Sequence, residues 1–334
     1  VLLSAGEEDD KWYVVTYEQF REFDLKKFYP GEFQAALSAA RYCRWKEMDG
    51  GYKDFWLDIL KKYIDGQETP DEYKRKAIFE YIFLKIKFDQ DKDSSKSAIS
   101  EDISIIDLYL ESWKKERGIN GLEGDILFLD LLKSQIRIFS LEYPVEKIEA
   151  FEQEMIELLN EKEAESENVD QLCDIYQLQG HLTRVLNDNF IEGWREAFAK
   201  YRMIIPLLDK THFYSLSGLY DQMHEMTKSL ANYGENDEVL EMADEFMTEI
   251  EAHAAKSGLR HKAALDFIER ANVHVERQDV GNMLKALELY HRAKAKWRQE
   301  YTRKGYMHSL LGIAKVYEWL GMTYASKFYS LFFL

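Results

Sequence analysis

The chain has 334 residues, of which 46% are hydrophobic, and its net charge is −17. This length exceeds the usual size of one hydrophobic core, so we expect two domains or an elongated repeat array, and the apolar share disfavours global disorder. The acidic charge disfavours general binding to nucleic acids or anionic membrane surfaces, and no apolar run reaches the roughly 20 residues that span a bilayer.

The two cysteines, Cys43 and Cys173, lie far apart and belong to no CxxC pair. We therefore expect neither a disulfide framework nor a structural zinc site, and a reducing, cytoplasmic setting is the simpler interpretation. The chain has only 4 prolines. Their scarcity favours long helices, because a proline inside a helix costs roughly 3 kcal/mol.

The first predicted element is residues 11–17, whose aromatic and β-branched residues have strand character. This segment is either a remnant of a preceding domain or the lead-in to a helix, and we assign residues 1–15 to a linker or the tail of a preceding segment. Thr16 and Gln19 resemble a capping box, which predicts a helix over residues 18–29.

Helical patterns then follow one another to residue 165, with an N-cap expected at Thr69. Residues 89–100 are polar without periodicity and predict a surface loop, and the charged residues 161–170 predict a loop between two halves. Residues 16–165 are assigned to an N-terminal helical domain, with further degenerate repeats as an open alternative. The helices are predicted at residues 32–48, 52–64, 71–88, 101–116, 125–143 and 145–165.

Residues 168–334 form a repetitive pattern of four predicted helix pairs. The second helix of each pair carries a small residue followed, four positions later, by a larger one, and the small residues are spaced 46, 43 and 39 positions apart. A small residue lets two helices approach closely, and the larger side chain fills the groove of the next unit. A period of about 40 residues with two helices per unit predicts an α-solenoid.

The predicted pairs are 169–187 with 190–208, 212–232 with 236–257, 260–278 with 282–302, and 305–320 with 322–334. Their small and larger residues are Ala197 with Tyr201, Ala243 with Met247, Ala286 with Tyr290, and Ala325 with Tyr329.

Two of these units resemble the tetratricopeptide-repeat (TPR) superfamily. Gly281, Ala286, Tyr290 and Ala293 stand at the family's Gly, Ala, aromatic and Ala positions. The last unit, in which the alanine falls one residue early, offers Ala314, Tyr317, Leu320, Gly321, Ala325 and Tyr329.

The resemblance covers roughly residues 168–334. It implies an all-α fold, namely a right-handed α-solenoid of TPR-like helical hairpins with an N-terminal helical region. It also implies a scaffold without cofactor, whose concave groove binds a protein or peptide ligand. In bacteria such arrays often serve as sensor or regulatory modules of larger proteins, so another domain of the same full-length chain is a possible partner.

In a TPR-like stack the first helices of the pairs face the concave surface, so their polar side chains are candidates for partner binding. Four histidines, one in each first helix, are at positions 181, 224, 274 and 308. The alternative is that these polar residues are merely solvated on amphipathic helices. No HExxH motif is present, and no metal site is expected. The candidates are Gln177, His181, Arg184, Asp221, His224, Lys228, Arg270, His274 and Arg277.

A second hypothesis is a nuclease. Arg303 and His308 fit the R-x4-H pattern of HEPN ribonucleases, in which histidine acts as general acid or base and arginine stabilises phosphate charge. Gly305 between them predicts a turn between helices. No Gly-rich phosphate loop or GxSxG nucleophile motif is present, so an enzyme is not our first interpretation.

A third hypothesis rests on charge. Residues 285–304 carry seven basic and two acidic side chains, a net charge of +5. This stretch could receive an acidic partner, an acidic helix of another copy, or a nucleic acid, which would make the protein a nucleic-acid sensor. The alternative is a solvated helix face.

Overall fold

The structure is a computed structural model that describes residues 11–25, 27–48, 51–90, 95–233, 237–256, 260–299 and 303–332. Within these ranges the chain forms 15 α-helices and one short 3-10 helix, and no β-strand. The all-α prediction is therefore confirmed. The chain divides into two compact units, Val1–Leu158 and Leu159–Leu334.

The first unit is built from seven helices around an aromatic core. Trp56 and Tyr63 are buried near its beginning, and Tyr109 and Trp113 are buried further along the chain. The helices are α1 (Lys11–Phe20), α2 (Pro30–Trp45), α3 (Gly51–Asp65), α4 (Asp71–Asp89), α5 (Ile103–Lys115), α6 (Leu122–Phe139) and α7 (Val145–Glu165), the last of which continues into the second unit.

The strand character assigned to residues 11–17 was wrong, because these residues are in helix α1. Tyr13, Thr16 and Phe20 are buried at i, i+3 and i+7, which is helical periodicity. Trp56 Nε1 donates a hydrogen bond of 2.8 Å to the Tyr13 hydroxyl. Aromatic residues are compatible with a helix as well as with a strand when one face of the element packs on a core. Tertiary packing therefore overrides the β propensity of this segment.

Both expected capping positions in the first unit were wrong. Thr16 lies inside α1, where its hydroxyl donates to the Trp12 carbonyl oxygen at 2.8 Å. Helix α1 ends at Phe20, so the helix predicted over residues 18–29 does not form. The N-cap of α4 is Pro70 without a side-chain hydrogen bond, and the Thr69 hydroxyl is buried.

The charged loop predicted over residues 161–170 is much shorter in the structure. Helix α7 continues through Glu165, and Lys162 forms an ion pair of 2.6 Å with Glu165 one turn along. The next helix begins after Asn168, whose side chain accepts hydrogen bonds from the backbone N–H groups of Asp170 and Gln171. Only residues 166–168 separate the two helices.

The second unit contains eight further α-helices that match the predicted pairs closely. Helix α8 contacts α9, consecutive helices from α10 to α15 contact one another, and next-but-one contacts link α9 to α11, α10 to α12 and α12 to α14. The helices are α8 (Val169–Leu186), α9 (Phe190–Arg202), α10 (Ser217–Tyr233), α11 (Asp237–Lys256), α12 (Arg260–Glu276), α13 (Val280–Gln299), α14 (Arg303–Trp319) and α15 (Thr323–Leu331). The short 3-10 helix, Ile205–Lys210, lies between α9 and α10.

The start of the second predicted pair at residue 212 was wrong, because residues 211–216 are not helical. The carboxylate of Asp170 accepts hydrogen bonds from the backbone N–H groups of His212, Phe213 and Tyr214 at 2.7 to 2.9 Å. These bonds lower the pKa of the Asp170 carboxyl. A side chain thus takes the place of the helical hydrogen-bond acceptors in this segment.

The small residues of the repeat pattern are at the centre of the core. Ala197, Ala243 and Ala286 are fully buried. The larger residues four positions later, Tyr201, Met247 and Tyr290, are buried as well, as the repeat pattern requires. Ala325 and Tyr329 in the last helix are half-buried.

Candidate functional site

The first helices of the four pairs, α8, α10, α12 and α14, are linked in a row. Gly218 at the start of α10 lies directly against the side-chain amide of Gln177 on α8. Tyr214 donates a hydrogen bond of 2.9 Å to Gln177 Oε1. The half-buried Gln177 therefore joins the first helix to the second helix of the row.

The link from α10 to α12 is an ion pair at the surface. Lys262 Nζ lies 2.7 and 2.9 Å from the two carboxylate oxygens of Asp221, and it also contacts the Ser217 hydroxyl. Asp221 is exposed, so this pair is hydrated and adds little to stability. It places a partner-binding candidate, Asp221, beside a residue that the sequence did not single out.

Two further candidates, Arg270 and His274, belong to a buried ionic cluster between α11, α12 and α13. Arg270 Nε lies 2.8 Å from Asp266 Oδ2, and its other end contacts Asp244 on α11. His274 lies 2.6 Å from Asn282 Oδ1 on α13 and 3.3 Å from Asp244 Oδ2. The side chains of Arg270 and His274 are 1% exposed.

Burial and the neighbouring charges shift the pKa values of the ionisable groups in this cluster. Burial raises the pKa of Asp266 to about 6, against the opposing effect of Arg270. Burial also acts on Asp244, but the hydrogen bond from His274 and the charge of Arg270 outweigh it, and the pKa of Asp244 is lowered. Burial alone would lower the pKa of Arg270, and its two carboxylate partners raise it instead.

The burial of this cluster makes its role structural. A partner would reach Arg270 or His274 only if α11, α12 and α13 separated. Asp266, Arg270 and His274 follow each other at i, i+4 and i+8 on α12, and that spacing was the available sequence signal for a shared face. Asp244 lies on another helix, so its contact with Arg270 has no local signal in the sequence.

Two candidates on α8 are close together near α9. His181 is buried, and burial together with the nearby charge of Arg184 lowers the pKa of its imidazole to about 3. The guanidinium of Arg184 lies 5.6 Å from the centre of the Trp194 ring. Neutral His181 is therefore a core residue, while Arg184 is half-buried at the edge of the core.

The remaining candidates are less informative. Arg277 is half-buried just beyond the end of α12, where its backbone N–H donates to the His274 carbonyl at 3.3 Å. His224 and Lys228 belong to α10, but their side chains lie outside the described residues.

Two stripes of side chains, on α12 and α14, form the accessible part of the row, and we call them the first-helix surface. All members are exposed except Lys262 and Glu269, which are half-buried. The members on each helix recur at helical spacing, and α12 contacts α14. The two stripes are Lys262, Leu265, Glu269, Asn272 and Glu276 on α12, and Lys304, His308, Leu311, Lys315 and Glu318 on α14.

Tyr290 on α13 contacts both α12 and α14, the helices that carry these two stripes. Its hydroxyl donates a hydrogen bond of 2.5 Å to Asn272 Oδ1 on α12. Its ring lies against Gly312 on α14. The surface thus offers carboxylate, ammonium, amide and isolated leucine side chains on helices whose spacing is fixed by a buried tyrosine.

The basic stretch 285–304 faces an acidic neighbour along part of its length. Lys285 lies 3.6 Å from Glu241 on α11, and Lys296 lies 3.1 Å from Glu251. Arg292 also contacts Glu251. These ion pairs occupy three of the seven basic side chains within the chain itself.

Arg303 and His308 lie on the same helix, α14, and both are exposed. The predicted turn at Gly305 was wrong, because Gly305 is inside α14, packed against Trp297. Residues five positions apart on an α-helix point about 140° away from each other. Within α14, His308 therefore belongs to the first-helix surface and Arg303 does not.

Among the described residues, no group of three or more His, Cys, Asp or Glu side chains is placed to hold a metal ion. None of the helices in the described part of the chain is both long and apolar enough to cross a membrane.

No protein-family model matches the chain, and no curated protein matches it.

Proposed function

We propose that this protein is a helical-repeat scaffold that binds a protein or peptide ligand on its first-helix surface. In this proposal the second unit is a right-handed α-solenoid of TPR-like hairpins. The whole serves as a sensor or regulatory module of a larger bacterial-type protein. The observation that carries the proposal is the regular sequence separation of the polar contacts between helices.

Those separations cluster near one repeat length. In the second unit, Arg195 contacts Glu238 across 43 positions and Arg202 contacts Glu249 across 47. The separation between Lys262 and Asp221 is 41. Residues one repeat length apart are therefore neighbours in space, as expected when each helix pair packs only on the next pair.

In the first unit, polar contacts also recur at a regular sequence separation, which is slightly shorter than in the second unit. Arg41 contacts Glu80 across 39 positions, and Lys53 contacts Asp89 across 36. Asp107 accepts hydrogen bonds from Lys147 and Tyr143, across 40 and 36 positions. This supports the alternative that the first unit consists of further degenerate repeats.

The charged side chains of the second helices favour the first-helix surface as the binding face. Arg195, Arg202 and Arg292 are all engaged in ion pairs with α11. On the first-helix surface, Leu265 on α12 and Leu311 on α14 are 47% and 37% exposed, and each lies between polar members of its stripe. Exposed apolar residues between polar ones suit a peptide ligand, because they supply contact area while the polar groups orient its backbone.

The test is selection of peptides from a display library on the purified chain, followed by affinity measurements on variants. Leu265→Glu and Leu311→Glu should weaken the selected peptide at least tenfold. Leu284→Glu on α13, where the leucine is 55% exposed, is the matched control and should leave the affinity unchanged.

Two results would overturn the proposal. One is that the selected peptides lose affinity with Leu284→Glu but not with the two first-helix variants. The other is robust RNA cleavage by the wild type that disappears in His308→Ala, which would favour the nuclease instead.

A further inference from the structure

The last helix, α15, carries an apolar stripe on its exposed side. Tyr324, Phe328 and Leu331 follow each other at i, i+4 and i+7, and Phe332 continues the stripe. Their exposed fractions are 92%, 56%, 68% and 55% in chain order. The rings of Phe328 and Phe332 lie 5.0 Å apart, so the stripe is continuous at its end.

The opposite side of α15 is fixed to the rest of the second unit. The Tyr329 ring stacks on Tyr317 of α14 with 5.6 Å between centroids. The ammonium of Lys294 on α13 lies 5.1 Å from the centre of the same ring. The exposed stripe is therefore held in place by aromatic and cation–π contacts on its reverse side.

We propose that this stripe is the interface of a symmetric homodimer, in which α15 of one copy packs on α15 of a second copy. The proposal is independent of the ligand surface proposed above. It requires that the stripe be large enough for a stable contact and that its chemistry suit a copy of itself.

The exposed area meets the first requirement. With about 200 Å² for a fully exposed side chain of this size, the four residues expose about 540 Å². Two copies would bury about 1,100 Å² from these residues alone, which passes the roughly 1,000 Å² expected of a biological interface. A patch of this size is also near the upper limit for a monomeric protein.

The charge of the helix meets the second requirement. Lys327 is the only ionic residue between positions 323 and 332, although the whole chain has a net charge of −17. The stripe thus offers no charge pattern that would select a different protein, and its own side chains add little repulsion between two copies. A twofold axis brings the same i, i+4, i+7 seam from both copies together, which is the pattern by which helices pair along apolar faces.

The first experiment is sedimentation of the whole chain from about 1 to 100 µM, a range that covers the affinities of interfaces at the lower end of the size scale. We expect the mass to double across this range. Phe328→Glu with Leu331→Glu should weaken dimerisation at least tenfold, whereas Leu284→Glu, an exposed leucine on α13, should not. A wild type that stays monomeric, or dimerisation unaffected by the stripe variant, would overturn the proposal.

The second experiment keeps the test independent of folding. Cysteine is introduced singly at Tyr324, Phe328 and Leu331, and the proteins are oxidised. Because the native Cys43 and Cys173 are buried, only the new thiol is accessible. At least one stripe variant should form a disulfide-linked dimer, and Leu284→Cys should not. If no stripe variant forms more dimer than Leu284→Cys, the symmetric contact is disproved.

Discussion

The ring of Tyr290 lies in the space that Gly312 leaves open between α13 and α14. A Cβ atom at Gly312 would be 2.5 Å from two ring carbons of Tyr290, which is closer than non-bonded carbon atoms approach each other. The ring is held from its other end by the hydrogen bond to Asn272. The glycine is therefore required by a neighbouring aromatic residue, and its backbone conformation is ordinary for a helix.

Replacing Gly312 should accordingly destabilise the second unit. We expect Gly312→Ala to lower the free energy of unfolding by about 1–3 kcal/mol through overpacking, measured by urea denaturation. The matched control is Gly124→Ala in α6, where an added Cβ meets nothing within 4 Å. That substitution should raise stability by up to about 1 kcal/mol through helix propensity. Equal effects of the two substitutions would contradict the close contact with Tyr290.

Arg270 and Arg195 each have two carboxylate partners, and we expect the buried arginine to contribute more to the free energy of unfolding than the exposed one. Arg270→Ala leaves Asp244 and Asp266 without their cation and should cost about 3–5 kcal/mol. Arg195→Ala removes an arginine whose side chain is 48% exposed and which also contacts two glutamates. It should cost less than about 1 kcal/mol. Denaturation midpoints of both variants in the same buffer test this difference, and similar losses would show that the cluster at Arg270 is hydrated in solution.

His181 should make the protein less stable in acid. Its pKa is about 3 in the folded chain, below the ordinary value, so the unfolded chain binds the proton first as pH falls. Stability is full above the ordinary pKa of about 6.5 and falls by up to about 4 kcal/mol toward pH 3. His181→Leu should therefore flatten the fall in unfolding free energy between pH 7 and 4. If the variant and the wild type have the same slope, the imidazole is hydrated in the folded state.

Asp266 should make the protein less stable as pH rises, which is opposite to the effect of His181, over part of the same pH range. Its pKa is raised to about 6, so between its ordinary pKa and pH 6 the folded chain binds more protons than the unfolded chain. This contribution is complete at low pH, and as pH rises toward 7 it falls by up to about 3 kcal/mol. Relative to wild type, Asp266→Asn should gain stability as pH rises from 4 to 7, whereas His181→Leu should lose it. A shift of both variants in one direction would contradict the burial of one of the two side chains.

The repeat pattern of the second half was predictable because it depends on spacing within single helices. Ala197, Ala243 and Ala286 were identified from the sequence, and all three are fully buried. Helix boundaries followed the same signals, except where a side chain such as Asp170 replaced the helical hydrogen bonds of a later segment. Such a contact spans more than 40 residues and has no local signature.

The surroundings of the candidate residues were not predictable for the same reason. Arg270 and His274 resemble solvated residues of an amphipathic helix until Asp244 and Asn282 are brought to them by neighbouring helices. Whether a polar side chain on one of these helices is exposed depends on which polar partners the adjacent helices supply. Periodicity locates the helix face, and only the packed helices show what covers it.

The ion pairs along the second helices make α11 the common partner of its two neighbours. Acidic α11 lies between basic side chains of α9 and α13, with Glu238 and Glu249 facing one neighbour and Glu241 and Glu251 facing the other. Without α11, the basic side chains of α9 and α13 would face each other without these carboxylates. Helix α11 is therefore an electrostatic spacer, and replacing its glutamates would affect the helices on both sides of it.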